Sequence, residues 1–183
     1  MGVDKDKIKF KPKFIERYSK LTDIEQFKDY STRFLRRSIR VNTLKCSVAE
    51  LKRRLEEEWK LEQIPWCKEG FWIEHKGEGE EHRRDVGNVI EHALGYFYIQ
   101  EAASMIPPLV LDAKPGDKVL DMCAAPGSKT SQIIAMMKNK GVVVANDYKG
   151  TRLAPLGINL QKIGSTIHMI TLMEGRRFAK AGE

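Results

Sequence analysis

The chain has 183 residues, is 42% hydrophobic and 31% charged, and carries a formal net charge of +7. That composition supports a buried core of one or two domains, and no apolar run approaches the roughly 20 residues a membrane span requires. Three cysteines without a Cys-x-x-Cys pair, and four histidines without i, i+4 pairing, argue against zinc and any other metal.

The charge is unevenly distributed. Residues 1–60 hold seventeen Lys/Arg against ten Asp/Glu, and residues 61–183 hold fifteen of each. A basic amino-terminal part attracts polyanions, because each neutralised phosphate releases counterions. Lys5, Lys7, Lys9, Lys11 and Lys13 alternate along a tail, which also reads as a solvated terminus. Phe14, Ile15, Tyr18, Leu21, Ile24 and Phe27 recur at helical spacing, with a break near Leu21-Thr22-Asp23. Arg33, Arg36, Arg37, Arg40 and Lys45 then surround a strand-like run, Ser38 to Thr43, and arginine suits bidentate phosphate contact.

Ser47-Val48-Ala49-Glu50 is a capping box that opens a helix running to about Trp59. Leu61–Trp66 and Gly70–His75 read as strands joined by a turn at 67–70. Strand, helix, strand, strand is the skeleton of a small α+β module. Trp66, Phe71 and Trp72 suit either its core or base stacking on its sheet. Residues 77–84 form a charged linker, and residues 88–100 lead into a helix over 101–111 that Pro107-Pro108 ends or bends.

The second half reads as consecutive strand–helix units. Val119-Leu120 is a short strand, followed by Asp121-Met122-Cys123-Ala124-Ala125-Pro126-Gly127-Ser128-Lys129-Thr130 and a helical pattern through Met137. Gly141 to Asp147 is a β-branched strand ending in an acid. Arg152 to Leu160 is helical, with Pro155 and Gly157 expected to kink or shorten it. Thr166–Thr171 is a third strand, and Glu174-Gly175-Arg176-Arg177 follows.

The letters of the 121–130 loop narrow the ligand. A Walker-type phosphate cradle needs Gly-Lys-Ser/Thr, whereas here Ser128 separates Gly127 from Lys129. Pro126 has no amide to offer a phosphate. The dinucleotide fingerprint fails too, with one glycine between Asp121 and Thr130. The same order of elements also suits a plain tight crossover. As a ligand site, a loop opened by Asp121 fits a nucleoside bearing an amino-acid group, such as S-adenosylmethionine, and Asp147 stands where a ribose diol is usually gripped.

These residues resemble a known family. Asp121 to Thr130 closely resembles the cofactor motif of the NOL/NOP/Sun-type RNA cytosine-C5 methyltransferases, which usually have Gly in place of Ser128. Arg40-Val41-Asn42-Thr43-Leu44-Lys45, Tyr98 to Ser104, Asp147 with Arg152, Asn159 to Gly164 and Glu174-Gly175-Arg176 fall in the family's order. Glu174 stands where Asp is more usual. The resemblance implies S-adenosylmethionine as cofactor, held by Cys123, Ala124, Ala125, Pro126, Gly127, Lys129, Asp147, Arg152 and Glu174. It implies RNA (tRNA or rRNA) as partner, contacted by Arg36, Arg37, Arg40, Asn42 and Lys45. Lys129 would have a supporting role: the family's matching lysine orients an acid on the fourth strand, and a lysine in a first helical turn is otherwise poorly placed against the helix dipole.

In that family the nucleophilic and assisting cysteines lie in an Asp-Ala-Pro-Cys and a Thr-Cys segment, and neither occurs in these 183 residues. Cys123 is expected to be a small buried packing residue, and Cys46 and Cys67 to be inert. No catalytic residue is therefore expected in the chain beyond the supporting lysine. The expectation is an incomplete Rossmann-like S-adenosylmethionine-dependent methyltransferase domain over 86–183, truncated before its fourth strand. A basic α+β RNA-contacting module over 1–85 precedes it. Such a chain would be inactive alone, cytoplasmic, and possessed of an open sheet edge for a second chain to complete. Two other readings stay open: an RNA-binding protein that keeps the scaffold without catalysis, and a different Rossmann-like enzyme using NAD or a nucleotide sugar.

Overall fold

The computed structural model describes residues 8–77 and 85–180. The expected tail residues Lys5 and Lys7, and positions 78–84 of the expected linker, lie outside the described residues. The chain divides into two compact units, 1–36 and 37–183.

In the first unit, helices α1 (Pro12–Tyr18) and α2 (Ile24–Ser31) are separated by Asp23, whose carboxylate caps α2 by accepting from the amides of Glu25 and Gln26. Phe14, Tyr18 and Phe27 stack between them, with ring centroids 4.6–5.7 Å apart.

The second unit contains two sheets. The first is antiparallel, in the order β2-β3-β1-β4, with β1 Ser38–Val41, β2 Trp59–Gln63, β3 Gly70–His75 and β4 Phe97–Ile99. Helix α3 (Val48–Leu55), capped by Ser47 through the Glu50 amide, packs Leu51 and Leu55 onto Ile39, Val41, Phe71, Ile73 and Phe97. It ends four residues before the expected Trp59. That tryptophan instead opens β2, buried with its ring edge-on to His75 at 5.0 Å. The edge strand β4 comes from beyond residue 85, and residues 37–183 form one unit.

Residues 102–105 form a single 3-10 turn before helix α5 (Ile106–Leu111). Pro107 and Pro108 begin this helix rather than ending it, because the first turn has no amide partners to lose. Asp112, in the left-handed region at φ 52°, stops it.

The second sheet is parallel, in the order β5-β6-β7: Lys118–Asp121, Val142–Asp147 and His168–Leu172. Helices α6 (Ser128–Met136) and α7 (Leu153–Lys162) cover one face. Ile133, Ile134, Met137, Leu156, Leu160 and Ile163 pack there on Val143 and Ala145. Each fully buried leucine contributes about 2–3 kcal/mol. α7 runs unbroken through Pro155, which again lies in a first turn. Along the other face Leu120, Val144 and Met169 stand in register, and Leu120 and Met169 are 41% and 59% exposed. Parallel sheets are ordinarily covered on both faces. This one is an incomplete Rossmann-like sheet.

Candidate functional site

The site is built where β5 and β6 end. Val119-Leu120 brings Asp121 to the carboxyl end of the sheet, and the chain turns back through 122–127 into α6. Gly127 makes that turn. Its φ of 105° lies where a side chain is strained, and an added Cβ would stand 3.2 Å from Leu156 Cδ1. The Asp121 carboxylate accepts from the Cys123 amide at 3.2 Å and from Thr130 Oγ1 at 2.7 Å, tying strand end to helix start.

The loop amides are used within the protein. Ala124 N donates to Asn146 O at 2.8 Å, Ala125 N to Asp147 Oδ2 at 3.2 Å, and Gly127 N to Ala124 O at 2.7 Å. With Cys123 N on Asp121 and no amide at Pro126, the amides of 123–127 are spent before α6 begins. What the strand ends offer is acidic: Asp121 after β5, Asp147 after β6 and Glu174 after β7. Acceptors of that kind suit an ammonium, a ribose diol and an adenine amino group. These acceptors fit S-adenosylmethionine.

Asp147 stands differently from the sequence reading. Its side chain is 3% exposed and faces inward. It accepts from Ala125 N, from Lys149 N at 3.1 Å and from Arg152, whose Nη1 lies 3.1 Å from Oδ2. Arg152 also donates to the Ala125 carbonyl. The pair therefore clamps the loop, and half-exposed Arg152 separates Asp147 from solvent. Glu174 is a third exposed and pairs with Arg176 at 2.6 Å and Arg177 at 3.7 Å.

Sequence reasoning missed several supports. Asn146, fully buried, donates to Met122 O at 3.0 Å and Met173 O at 2.7 Å, and accepts from Thr171 Oγ1 at 3.0 Å. It thereby joins the loops after β5 and β7. A polar residue inside the β-branched run 142–147 was the available signal. Asn159 of α7 and Tyr98 of β4 both donate to Pro126 O, at 2.8 and 3.4 Å. Burial pushes the Tyr98 phenol above its usual pKa, and the Arg40 charge partly opposes this.

Residues 10–102 match the N-terminal domain of 16S rRNA methyltransferase RsmF, and residues 108–183 match 16S rRNA methyltransferase RsmB/F. The chain belongs to the RsmB/F family. It is 47% identical over 173 residues to a tRNA (cytosine(49)-C(5))-methyltransferase of Pyrococcus abyssi, covering 94% of this chain and 54% of that protein. It is 45% identical over 160 residues to ribosomal RNA small subunit methyltransferase F of Shewanella oneidensis, covering 86% of this chain and 33% of the relative. A solved methyltransferase homolog protein from Pyrococcus horikoshii superposes with a TM-score of 0.77 at 32% identity, over 94% of this chain and 60% of that one. The chain thus spans between a third and about half the length of these curated relatives.

Within this RsmB/F chain, several candidates sit elsewhere than expected. Arg40, expected to contact RNA, is 2% exposed, and its guanidinium donates to Gln100 Oε1 (2.7 Å), Ser128 O (3.1 Å) and Ser131 Oγ (2.8 Å). Burial lowers its pKa to about 10, with Cys67, Tyr98 and Glu69 opposing the shift. Asn42 is equally buried and donates to Gly95 O and Ile163 O. Lys45 is exposed but donates to Leu94 O and Lys162 O. Arg36 is exposed, and Arg37, over half exposed, lies 3.8 Å from Asp85. Cys123 is exposed in the loop, contrary to its expected burial, whereas Cys46 and Cys67 are buried. The β5–α6 turn directs the Cys123 side chain outward while the smaller Ala124 and Ala125 pack inward. Lys129 is exposed in the first turn of α6. Phe71 belongs to the core. Trp66 and Trp72 contact edge-on at 5.9 Å, with the Trp66 indole donating to Ala102 O. No group of metal ligands occurs among the described residues, and no helix there is long and apolar enough to cross a membrane.

Proposed function

We propose that this chain provides the cofactor-binding and RNA-contacting part of an RNA cytosine-C5 methyltransferase that uses S-adenosylmethionine. The carrying observation is the 121–130 loop, whose amides from Cys123 to Gly127 are satisfied internally beside three strand-end acids. Cys123, Ala124, Ala125, Pro126, Gly127 and Lys129 shape the cofactor's seat. Asp147, Arg152 and Glu174 meet its polar groups, Asp147 after Arg152 swings off the carboxylate. The cofactor supplies an electrophilic methyl group; the chain's own residues bind and orient it. RNA, either tRNA or rRNA as in the named relatives, approaches the basic amino-terminal residues, among them Arg36, Arg37 and Lys45. The protein acts in the cytoplasm.

Among these 183 residues neither Asp-Ala-Pro-Cys nor Thr-Cys occurs, so the ring-attacking thiolate is absent from them. The 183 residues alone therefore bind cofactor without methylating RNA, and a polypeptide carrying those segments completes the parallel sheet. Titration calorimetry with S-adenosylmethionine and, separately, NAD tests the reading. Binding of the first alone supports it. No heat with S-adenosylmethionine, with RNA still bound, favours a non-catalytic RNA-binding protein on the same scaffold. Robust methylation of a cytosine-containing RNA by these residues alone refutes the division of labour.

A further inference from the structure

Where the turn between α4 (Ile90–Ala93) and β4 meets the carboxyl end of α7, a cavity of about 150 Å³ opens, lined by His92, Tyr98, Asn159 and Lys162 among others. Gly95 allows this approach: at φ 74°, its added Cβ would fall 2.1 Å from Lys162 O. His92 Nδ1 lies 2.8 Å from the Gly87 carbonyl, which can only accept, so Nδ1 carries a proton. Nε2 of the neutral ring is then the acceptor for the Lys162 ammonium at 3.1 Å. Lys45 donates to Lys162 O and Leu94 O, both at 2.8 Å, which holds a second ammonium at the same end of α7.

An ammonium has three donors. Lys162 therefore keeps two and Lys45 keeps one. Among the described residues neither forms an ion pair with a carboxylate. Burial, and then the neighbouring Lys45 charge, push the Lys162 pKa below its usual value. Two like charges at one helix end, one held by carbonyls and the other by an imidazole, with spare donors and no carboxylate partner among the described residues, call for an anion. The cavity is smaller than the roughly 300–1,000 Å³ of small-molecule sites. It suits one oxyanion group rather than a whole nucleotide.

We propose that Lys162 and Lys45, with Lys162 braced by His92, seat a single phosphodiester group of the RNA strand. The proposal rests on the RNA reading above and assigns one anchoring point to it. It also gives Lys45 a role compatible with its two carbonyl bonds.

The test is binding of a single-stranded oligoribonucleotide to the 183-residue chain across a salt series. In Lys162→Gln the slope of log affinity against log salt becomes shallower by about 0.7, the loss of one phosphate contact. Lys162→Arg keeps the wild-type slope. His92→Gln, which retains both charges, weakens binding alike at every salt concentration. Inorganic phosphate at matched ionic strength competes with RNA in the wild type and has no such effect in Lys162→Gln. An unchanged slope in folded Lys162→Gln, while the wild type binds RNA, overturns the site and leaves the RNA reading intact. Phosphate binding that depends on Lys162 with no change in RNA slope also overturns it, in favour of a free-phosphate site. Absence of RNA binding by the wild type at low salt overturns the RNA reading and this site together.

Discussion

Arg40, on β1 of the antiparallel sheet, donates to the Ser128 carbonyl oxygen, 3.1 Å away in the first turn of the helix that follows the cofactor loop. The guanidinium is buried, and its hydrogen-bond acceptors are neutral: Gln100, Ser128, Ser131 and Gln132. A lysine here would keep the buried charge but lose the fork that reaches several acceptors. Arg40→Lys is therefore expected to destabilise by about 3 kcal/mol. Arg40→Met costs less, because Gln100 Nε2 still donates to Gln132 Oε1 at 3.0 Å and Ser131 Oγ to Ser128 O at 2.9 Å. Urea midpoints rank the two variants. A methionine variant less stable than the lysine variant contradicts this account.

Gly95 is the second structural pinch. Both its positive φ and the closeness of the Lys162 carbonyl exclude a methyl group, and the obstacle is backbone rather than a movable side chain. Gly95→Ala is expected to lose about 3 kcal/mol or more of stability. Gly116, also at positive φ but with nothing within 4 Å of its Cβ, isolates the conformational cost alone. Gly116→Ala should lose clearly less in the same denaturant series.

The three thiols differ in reach. Cys123 is exposed in the loop, and Cys46 and Cys67 are buried, with burial the leading cause that raises both of their pKa values. A maleimide at pH 8 should modify Cys123 first, and the others only after unfolding. S-adenosylmethionine is expected to slow that modification. The raised thiols also fix a sign. The folded protein holds their protons more tightly, so their contribution is complete below the ordinary thiol pKa of about 8.5 and declines as pH rises through and beyond it. The melting temperature should fall above that pH, less so in Cys67→Ala than in the wild type. Rapid labelling of three thiols per native molecule would be inconsistent with this packing.

Elements set by local chemistry were legible in the amino acids alone. The Ser47 cap, the 70–75 strand and the order of the parallel units follow from side-chain period and punctuation. So does the rejection of a phosphate cradle, because Pro126 lacks an amide in any fold. Long-range partners were not legible. Nothing local in Arg40-Val41-Asn42 tells that the arginine turns toward α6 and the asparagine toward Gly95 and Ile163. An exposed arginine and a buried one read the same in a strand. Asp147 was correctly placed at a strand end, but its pairing with Arg152 depends on how α7 begins. Pro107, Pro108 and Pro155 read as breakers because helix starts at 106 and 153 have no side-chain cap to announce them.

The uncovered face of the parallel sheet bears directly on solution behaviour. Leu120, Val144 and Met169 form a row across β5, β6 and β7, and Leu120 and Met169 are exposed. Among the described residues β5 and β7 each pair with β6 alone, so both edges also present unpaired backbone groups. Apolar surface beside an open edge favours association with another chain. The 183 residues are accordingly expected to elute at sizes that grow with concentration. Leu120→Lys with Met169→Glu should restore a monomer. Both side chains already meet solvent, so stability should change by about 0.5 kcal/mol or less. Light scattering coupled to gel filtration, read beside a melting curve, separates the two effects. A wild-type chain monomeric at high concentration would show that this face needs no cover. A double variant that unfolds would show that the row is part of the core.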